Sequence, residues 1–221
     1  RPPMSKKTAS APCGTITVLA GVNGAGKSSV AGAYIRAAGG DYYNPDEFTR
    51  SLLRSNPGLD PAAANSLAWT RGKELLAHAI ATGGDFVFET TLGANTIPRL
   101  LARAAEDGIA VKIYFVGLAS VAHHLRRVAT RVADGGHDIP EAKIRERWEN
   151  SRLNLIRLLP RLAELMVWDN SADADFATGA PAPVLLLHLR KGEILAPKNL
   201  SSTPIWAKPI VAAALKLQSS L

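Results

Sequence analysis

The sequence predicts an α/β fold in which a parallel sheet of five to six strands is flanked by helices. Short, strongly apolar segments alternate along the chain with longer segments of helical periodicity. The apolar segments lack the in–out alternation of a half-exposed strand, which is typical of parallel strands that are covered on both faces. Glycine pairs at 83–84 and 135–136 follow two of the helical segments and indicate where those helices end.

Each element is predicted from its own local pattern. The strands are predicted at 15–20, 85–89, 110–116, 165–169 and 184–189, with a weaker candidate at 41–43. Helices are predicted at 28–38, 61–82, 95–107, 120–133 and 140–159, and a last one around 205–217. We expect a flexible tail over 1–14 and a single domain over 15–221, with a helical lid around 120–160.

Composition and charge limit the class of protein. With 47% hydrophobic and 20% charged residues, and no apolar run near the roughly 18 residues of a membrane span, we expect a soluble cytoplasmic protein without a membrane partner. Cys13 is the only cysteine, which excludes an intrachain disulfide and a multi-cysteine zinc site. The net charge of +7 raises the possibility of nucleic-acid binding. Scattered basic residues and an aromatic content of 6% make that partner unlikely.

A glycine-rich loop follows the first predicted strand. Gly21, Gly26, Lys27 and Ser28 fill the pattern GxxxxGK(S/T), with Gly24 as an additional glycine. Such a loop points its N–H groups into one concavity that binds phosphate, and the order strand–loop–helix indicates a P-loop NTPase. We expect its fold to be of the nucleoside/shikimate kinase-like type. Lys27 is expected to reach the β- and γ-phosphates of ATP, and Ser28 to bind Mg²⁺. The predicted nucleotide-binding residues are Gly21, Asn23, Gly24, Ala25, Gly26, Lys27, Ser28 and Ser29.

Two acidic residues follow predicted strands, where the chemistry of such a sheet collects. Asp46 could hold its carboxylate over the phosphate loop or could cap a helix beginning at Glu47, and the spacing favours neither. Glu89 ends its strand where a P-loop protein places an acid to order Mg²⁺ or its water, and the alternative is a solvent-facing strand end. Thr90 and Thr91 continue this polar cluster toward a substrate site.

Other polar residues are less specific. Asp169 ends the fifth strand but is as well explained as a turn former. Arg127 and Arg131 share one helix face, and Arg145, Arg147 and Arg152 follow the segment ADGGHDIP. Two arginine-bearing helices around a glycine hinge are the layout of a lid over a transferring phosphoryl group, but they are equally typical of a solvated helix pair. His137 could contact phosphate or make a loop hydrogen bond.

These segments together resemble a known family. AGVNGAGKSS, NPDEF, FVFETTL, VKIYFVGL, RVATRVADGGHDIP and NLIRLLPRLAELMVWDNS are similar, in order, to the zeta toxin family of P-loop kinases, in its compact bacterial branch. The resemblance covers residues 16–171. It implies transfer of a phosphoryl group from ATP, with Mg²⁺, to the 3′-hydroxyl of the amino sugar in UDP-N-acetylglucosamine, and inhibition by a small antitoxin protein.

The resemblance also assigns roles by position. Asp46 matches the catalytic aspartate that takes the proton from the sugar hydroxyl, and Arg131 matches the first lid arginine. Lys27, Ser28 and Glu89 match the phosphate-loop lysine, the Mg²⁺ ligand and the strand-end glutamate. The second lid arginine has no clear match, so the resemblance leaves His137 or Arg145 as its substitute and leaves the acceptor open.

Two alternative functions stay open. One is a kinase of another small acceptor, such as a nucleoside or an antibiotic. The other is a non-kinase P-loop ATPase or nucleotide-dependent switch, which needs a residue that positions water where a kinase needs a base for its acceptor.

Overall fold

The computed structural model describes residues 14–134, 136, 138–172 and 182–220. The predicted tail, with Cys13, and His137 therefore lie outside the described residues, apart from Gly14. Strands and helices alternate along most of the chain. In order they are β1 (Thr15–Ala20), α1 (Lys27–Ala37), α2 (Pro45–Ser55), α3 (Pro61–Thr82), β2 (Phe86–Thr90), α4 (Thr96–Glu106), β3 (Ala110–Gly117), α5 (Val121–Ala133), α6 (Glu141–Leu158), β4 (Glu164–Asp169), β5 (Val184–Arg190), β6 (Glu193–Ala196) and α7 (Lys208–Gln218).

The strands form one six-stranded sheet in the order β2-β1-β3-β4-β5-β6. The four strands from β2 to β4 pair in parallel, whereas β5 is antiparallel to β4 and β6 is antiparallel to β5. The predicted fold class, a six-stranded α/β sheet flanked by helices, is confirmed. The parallel direction that the sequence predicts is wrong for β5, because apolar content reports burial and not strand direction.

The sixth strand differs from its prediction. The weak candidate at 41–43 contributes only a single bridge, between Tyr43 and Phe88. The sixth strand is β6, where the sequence analysis predicts neither a strand nor a helix. With four residues that are alternately exposed and partly buried, β6 is too short and too polar to be recognised from its pattern.

The sheet is covered unequally on its two faces. Side chains that alternate along β1 point to opposite faces, so Ile16 and Val18 join the larger core while Leu19 joins a smaller one. The larger core includes residues of α3, α4, α6 and α7. On the other face, α1 packs on β1 and β3 over a cluster that includes Tyr114 and Trp168. Within the described ranges, no helix has both the length and the apolarity needed to cross a membrane.

The helices beside the phosphate loop have well-defined starts. Asn44 caps α2 by accepting hydrogen bonds from the N–H groups of Asp46 (2.9 Å) and Glu47 (3.3 Å). Asp60 caps α3 in the same way through the N–H group of Ala63 (2.9 Å). Both helices have proline at their first position, where the missing N–H costs nothing. The hypothesis that Asp46 is the helix cap is therefore wrong, since Asn44 does that work.

The end of β3 gives a test of the packing. A Cβ at Gly117 would overlap the ring of Trp206, which is buried against Phe115. We expect Gly117→Ala to lower the free energy of unfolding by about 1–3 kcal/mol, because the core must shift to admit one methyl group. Urea denaturation measures this. Gly58→Ala is the matched control, because nothing lies near the added methyl group at this exposed site. Equal stability of the two variants would contradict the packing described for Trp206.

Candidate active site

The phosphate loop lies between β1 and α1, at the carboxyl edge of the sheet. The chain passes from β1 to β2 on one side and then returns to β3 on the other, so this edge is where α/β sheets form their binding crevice. The loop approaches β3 closely, because a Cβ at Gly21 would overlap the carbonyl oxygen of Val116. Gly21 also has φ 144°, a backbone conformation that L side chains rarely adopt. This glycine is therefore required by both contact and conformation.

The predicted phosphate-binding and metal-binding residues converge. The Nζ of Lys27 lies 3.3 Å from Oε1 of Glu89, and the hydroxyl of Ser28 donates to Oε2 of Glu89 at 2.9 Å. The amide of Asn44 lies 3.4 Å from the same oxygen. Lys27 and Glu89 are only 7% and 9% exposed, so the alternative that Glu89 faces solvent is wrong. The buried side chains of Lys27 and Glu89 thus form an ion pair beside the loop.

The donors at this point fit a magnesium ion. Hard oxygen ligands, here the Ser28 hydroxyl and the Glu89 carboxylate, are the ones that Mg²⁺ prefers. Mg²⁺ is commonly bound through one or two protein groups together with substrate phosphates, so no larger protein cage is required. Accordingly, the described residues contain no group of three or more His, Cys, Asp or Glu side chains that could hold a metal ion by itself.

The rest of the predicted loop residues lie around the same concavity. Asn23 and Ala25 are buried, whereas Ser29 is exposed and donates its N–H to the carbonyl of Gly26 at 3.1 Å. The segment after β4 also reaches the loop, because the amide of Asn170 donates to the carbonyl of Ala25 at 2.9 Å. The predicted nucleotide-binding residues thus form one loop, and a side chain from the segment after β4 fixes it by a hydrogen bond.

Asp46 lies in the first turn of α2 and faces the pocket beside the loop. Its carboxylate lies 3.5 Å from the guanidinium of Arg131, which α5 brings from the other side of the site. The two residues that the sequence analysis names as catalytic base and lid arginine are therefore neighbours.

Asp169 has a different position, since it accepts hydrogen bonds from the N–H and hydroxyl of Ser171 and forms a turn.

The arginines that follow the segment ADGGHDIP differ in whether they line the pocket. Arg145 faces away from the pocket and pairs with Glu141 at 2.6 Å, so its predicted contact with a substrate finds no support in its position. Arg152 packs 3.5 Å above the ring of Trp148. Arg147 instead lines the pocket and donates to the side-chain oxygen of Asn23 at 2.7 Å. Burial lowers the pKa of the Arg147 guanidinium, and the carboxylates of Glu146 and Asp46 oppose this.

A pocket of about 460 Å³ opens from the phosphate loop. It lies between α2, α3, the segment after β2 and the start of α6, and Lys27, Asp46, Glu89 and Arg147 line its loop end. The predicted substrate residues Thr90 and Thr91 also line it, and their hydroxyls accept hydrogen bonds from the N–H groups of Leu92 and Gly93. Its volume lies within the roughly 300–1,000 Å³ of small-molecule sites.

Three residues that shape the site have no motif to identify them. The buried amide of Asn154 donates to the carbonyl of Leu92 at 2.9 Å, and this bond supports a turn in which Leu92 has φ 57°. His124, on α5, is 1% exposed and contacts the carbonyl oxygen of Asn23 through Nδ1 at 2.9 Å. Because that oxygen can only accept, Nδ1 carries the proton. The third is Asn44, since no local sequence pattern predicts its contact with Glu89.

The burial of His124 has a consequence for stability. Desolvation lowers its pKa from 6.5 to about 4, with its hydrogen bond to Asn23 opposing. Between these pH values the unfolded chain binds a proton that the folded chain does not, so the free energy of unfolding falls as the pH drops through this window. The full effect is about 3 kcal/mol.

We therefore expect His124→Asn, whose amide can still donate to Asn23, to lose less stability than the unmutated protein between about pH 7 and about pH 4.5. Urea denaturation at the two pH values measures this difference. Identical losses in both proteins would contradict the assignment of a neutral His124.

Residues 16–155 match the family described as AAA domain. An uncharacterized protein of Haemophilus influenzae is 30% identical over 128 residues, which cover 58% of this chain and 88% of that protein.

Two solved structures resemble the fold at low sequence identity. A chain in the crystal structure of AvrRxo1-ORF1:-ORF2 with ATP is 18% identical, with a TM-score of 0.62 over 90% of this chain and 63% of that one, so this chain spans less than two thirds of it. A chain of the PezAT toxin-antitoxin system of Streptococcus pneumoniae is 12% identical, with a TM-score of 0.49 over 97% of this chain and 89% of that one. The first likeness concerns the fold alone, and the second is too distant to support an argument.

The family match covers the phosphate loop, Asp46, Glu89, Arg131 and Arg147. It also covers more than half of the chain, and the relative from Haemophilus influenzae matches over most of its own length. With its P-loop kinase-like fold, this chain belongs to the AAA domain family.

Proposed function

We propose that the protein is an ATP-dependent kinase of the zeta toxin type that phosphorylates a hydroxyl of a small molecule, UDP-N-acetylglucosamine. One observation carries this proposal: a pocket large enough for a second substrate opens beside the phosphate loop, and the carboxylate of Asp46 lines it. An enzyme that only hydrolyses ATP needs room for a water molecule there. A pocket of about 460 Å³ is more space than that requires.

The reaction is an in-line transfer in which Asp46 acts on the acceptor. The carboxylate of Asp46 takes the proton from the acceptor hydroxyl while the hydroxyl oxygen attacks the γ-phosphorus of ATP. A bond forms between this oxygen and phosphorus, the bond from the γ-phosphorus to the bridging oxygen breaks, and ADP leaves. Since Asn44 caps α2, Asp46 is not occupied as a helix cap.

The cationic groups act on the phosphates. Lys27 and the N–H groups of the loop bind the β- and γ-phosphates. To do so, the ammonium group of Lys27 leaves Glu89 and contacts phosphate oxygens instead. Arg131 and Arg147 approach from α5 and α6 and stabilise the charge that develops on the transferred group. Mg²⁺ held near Ser28 and Glu89 would neutralise charge on the β- and γ-oxygens.

The resemblance to zeta toxins favours UDP-N-acetylglucosamine and a small antitoxin as partner. A kinase of a nucleoside or an antibiotic would use the same loop and base with another pocket lining. A nucleotide-dependent switch would hydrolyse ATP without transfer to any acceptor.

The first test changes Asp46. We expect Asp46→Asn to lower phosphoryl transfer to UDP-N-acetylglucosamine by about 10²- to 10⁴-fold, because an amide cannot accept the proton. Binding of ATP with Mg²⁺ should be unchanged, since Lys27, Ser28 and the loop are untouched. Mass spectrometry of the sugar product and calorimetric titration with nucleotide measure the two effects.

Asp60→Asn is the matched control, because Asp60 caps α3 and asparagine caps a helix about as well. Normal transfer by Asp46→Asn would remove Asp46 from catalysis. If the unmutated protein transfers phosphate to no UDP-sugar, the acceptor is wrong. If it hydrolyses ATP and phosphorylates nothing in a broad panel of acceptors, the kinase assignment is wrong.

A second test separates two neighbouring arginines. We expect Arg147→Gln to lower kcat by about 10²- to 10³-fold with a smaller effect on the KM for ATP, as for a group that acts on developing charge. Arg145→Gln should leave kcat nearly unchanged, because that side chain pairs with Glu141 outside the pocket. Steady-state kinetics with thermal denaturation of both variants check this. A larger loss of kcat for Arg145→Gln would restore the sequence-based expectation and refute the assignment of Arg147.

A further inference from the structure

One face of α3 forms the wall of the pocket that lies away from the phosphate loop. Asn65, Trp69, Gly72 and Lys73 line the pocket and recur at helical spacing, so they share one side of the helix. Trp69 is 46% exposed although it lines a pocket, and the side chain of Lys73 is half-buried. This wall has no part in the transfer mechanism described above.

The position of this wall is fixed by the packing of α3. A Cβ at Gly72 would lie 2.9 Å from the ring of Tyr43, so α3 can lie this close to Tyr43 only with glycine at that point. The hydroxyl of Tyr43 also donates to the carbonyl of Ala68 at 2.6 Å. Because Tyr43 itself lines the pocket, these contacts hold the Trp69–Lys73 face against the cavity.

The charges of the pocket are mostly matched within the protein. Lys27 pairs with Glu89, and Lys143 pairs with Glu146 at 2.9 Å. Lys73 differs from them. Its Nζ lies 5.0 Å from the centre of the Trp69 ring, and no carboxylate of the described residues lies within ion-pair distance of it. An aromatic ring attracts an ammonium group but carries no net charge, so the Trp69 ring does not take the place of a counter-ion for Lys73.

We propose that Lys73 determines specificity by binding an anionic group of the acceptor, a phosphate or a carboxylate, and that Trp69 holds its ammonium in position. This inference rests on the proposed kinase function and adds to it the residue that would recognise negative charge on the acceptor apart from the reacting hydroxyl. A half-buried ammonium without a counter-ion gains a charge-assisted hydrogen bond when such a group enters. A neutral acceptor gives it no such partner.

The test measures binding, so that it does not depend on turnover. The phosphate loop is first filled with Mg²⁺ and a non-hydrolysable ATP analogue, and the protein is then titrated calorimetrically with matched pairs of ligands. One pair is UDP-N-acetylglucosamine and N-acetylglucosamine, for a phosphate, and the other is gluconate and glucose, for a carboxylate. We expect the charged member of at least one pair to bind about tenfold or more tightly than its neutral partner.

The variants assign this preference to Lys73. Lys73→Gln should remove it and leave the binding of the neutral member unchanged, and Lys73→Arg should retain it. Trp69→Leu should weaken it. Arg71→Gln is the matched control, because Arg71 is exposed on the same helix and does not line the pocket.

Equal binding within both pairs, or a preference that survives Lys73→Gln, would overturn the inference. Its failure can be told from failure of the proposed function. A preference that depends on Lys73 in a protein that transfers no phosphate supports the charged-ligand site and refutes the kinase. Normal transfer that depends on Asp46, without a preference that depends on Lys73, supports the kinase and refutes the charged-ligand site.

Discussion

The close main-chain packing of the phosphate loop is the constraint on which the rest of the site depends. Gly21 touches the end of β3 with no room for a side chain, and the carbonyl oxygens of Asn23 and Ala25 accept hydrogen bonds from His124 and Asn170. The side chain of Asn23 accepts a further bond from Arg147. The loop is therefore held by β3, by α5, by α6 and by the segment after β4, so that its N–H groups keep their direction whether or not phosphate is bound.

This arrangement also divides the site into two parts with different demands. At the loop end, buried polar groups satisfy each other, since Lys27, Ser28 and Asn44 all approach Glu89. At the far end, the wall of α3 presents an exposed tryptophan and a lysine that no described carboxylate neutralises. In the proposed kinase, the first part would bind the phosphates of ATP, whose chemistry is constant, whereas the second could vary with the acceptor.

How far the sequence predicts this protein depends on whether a feature is local. The first strand, the loop and α1 follow from a continuous motif, and Glu89 follows from the end of a buried strand. The contact of His124 with Asn23 joins residues 101 positions apart, which no local pattern reports. Arg145 and Arg147 are only two positions apart, but two helical residues differ by about 200° around the axis and so face opposite sides. Choosing between them needs the rotation of α6, and finding β5 antiparallel needs the path of the chain after β4.

In the proposed kinase, the ion pair between Lys27 and Glu89 would couple the binding of nucleotide to the binding of Mg²⁺. When Lys27 turns to a phosphate, the buried carboxylate of Glu89 would lose its partner and face a polyanion. Only another cation can compensate, so nucleotide and divalent ion should each raise the affinity for the other by the same factor. In the proposed kinase, the carboxylate of Glu89 would therefore make the empty loop selective for the metal-bound nucleotide over the free nucleotide.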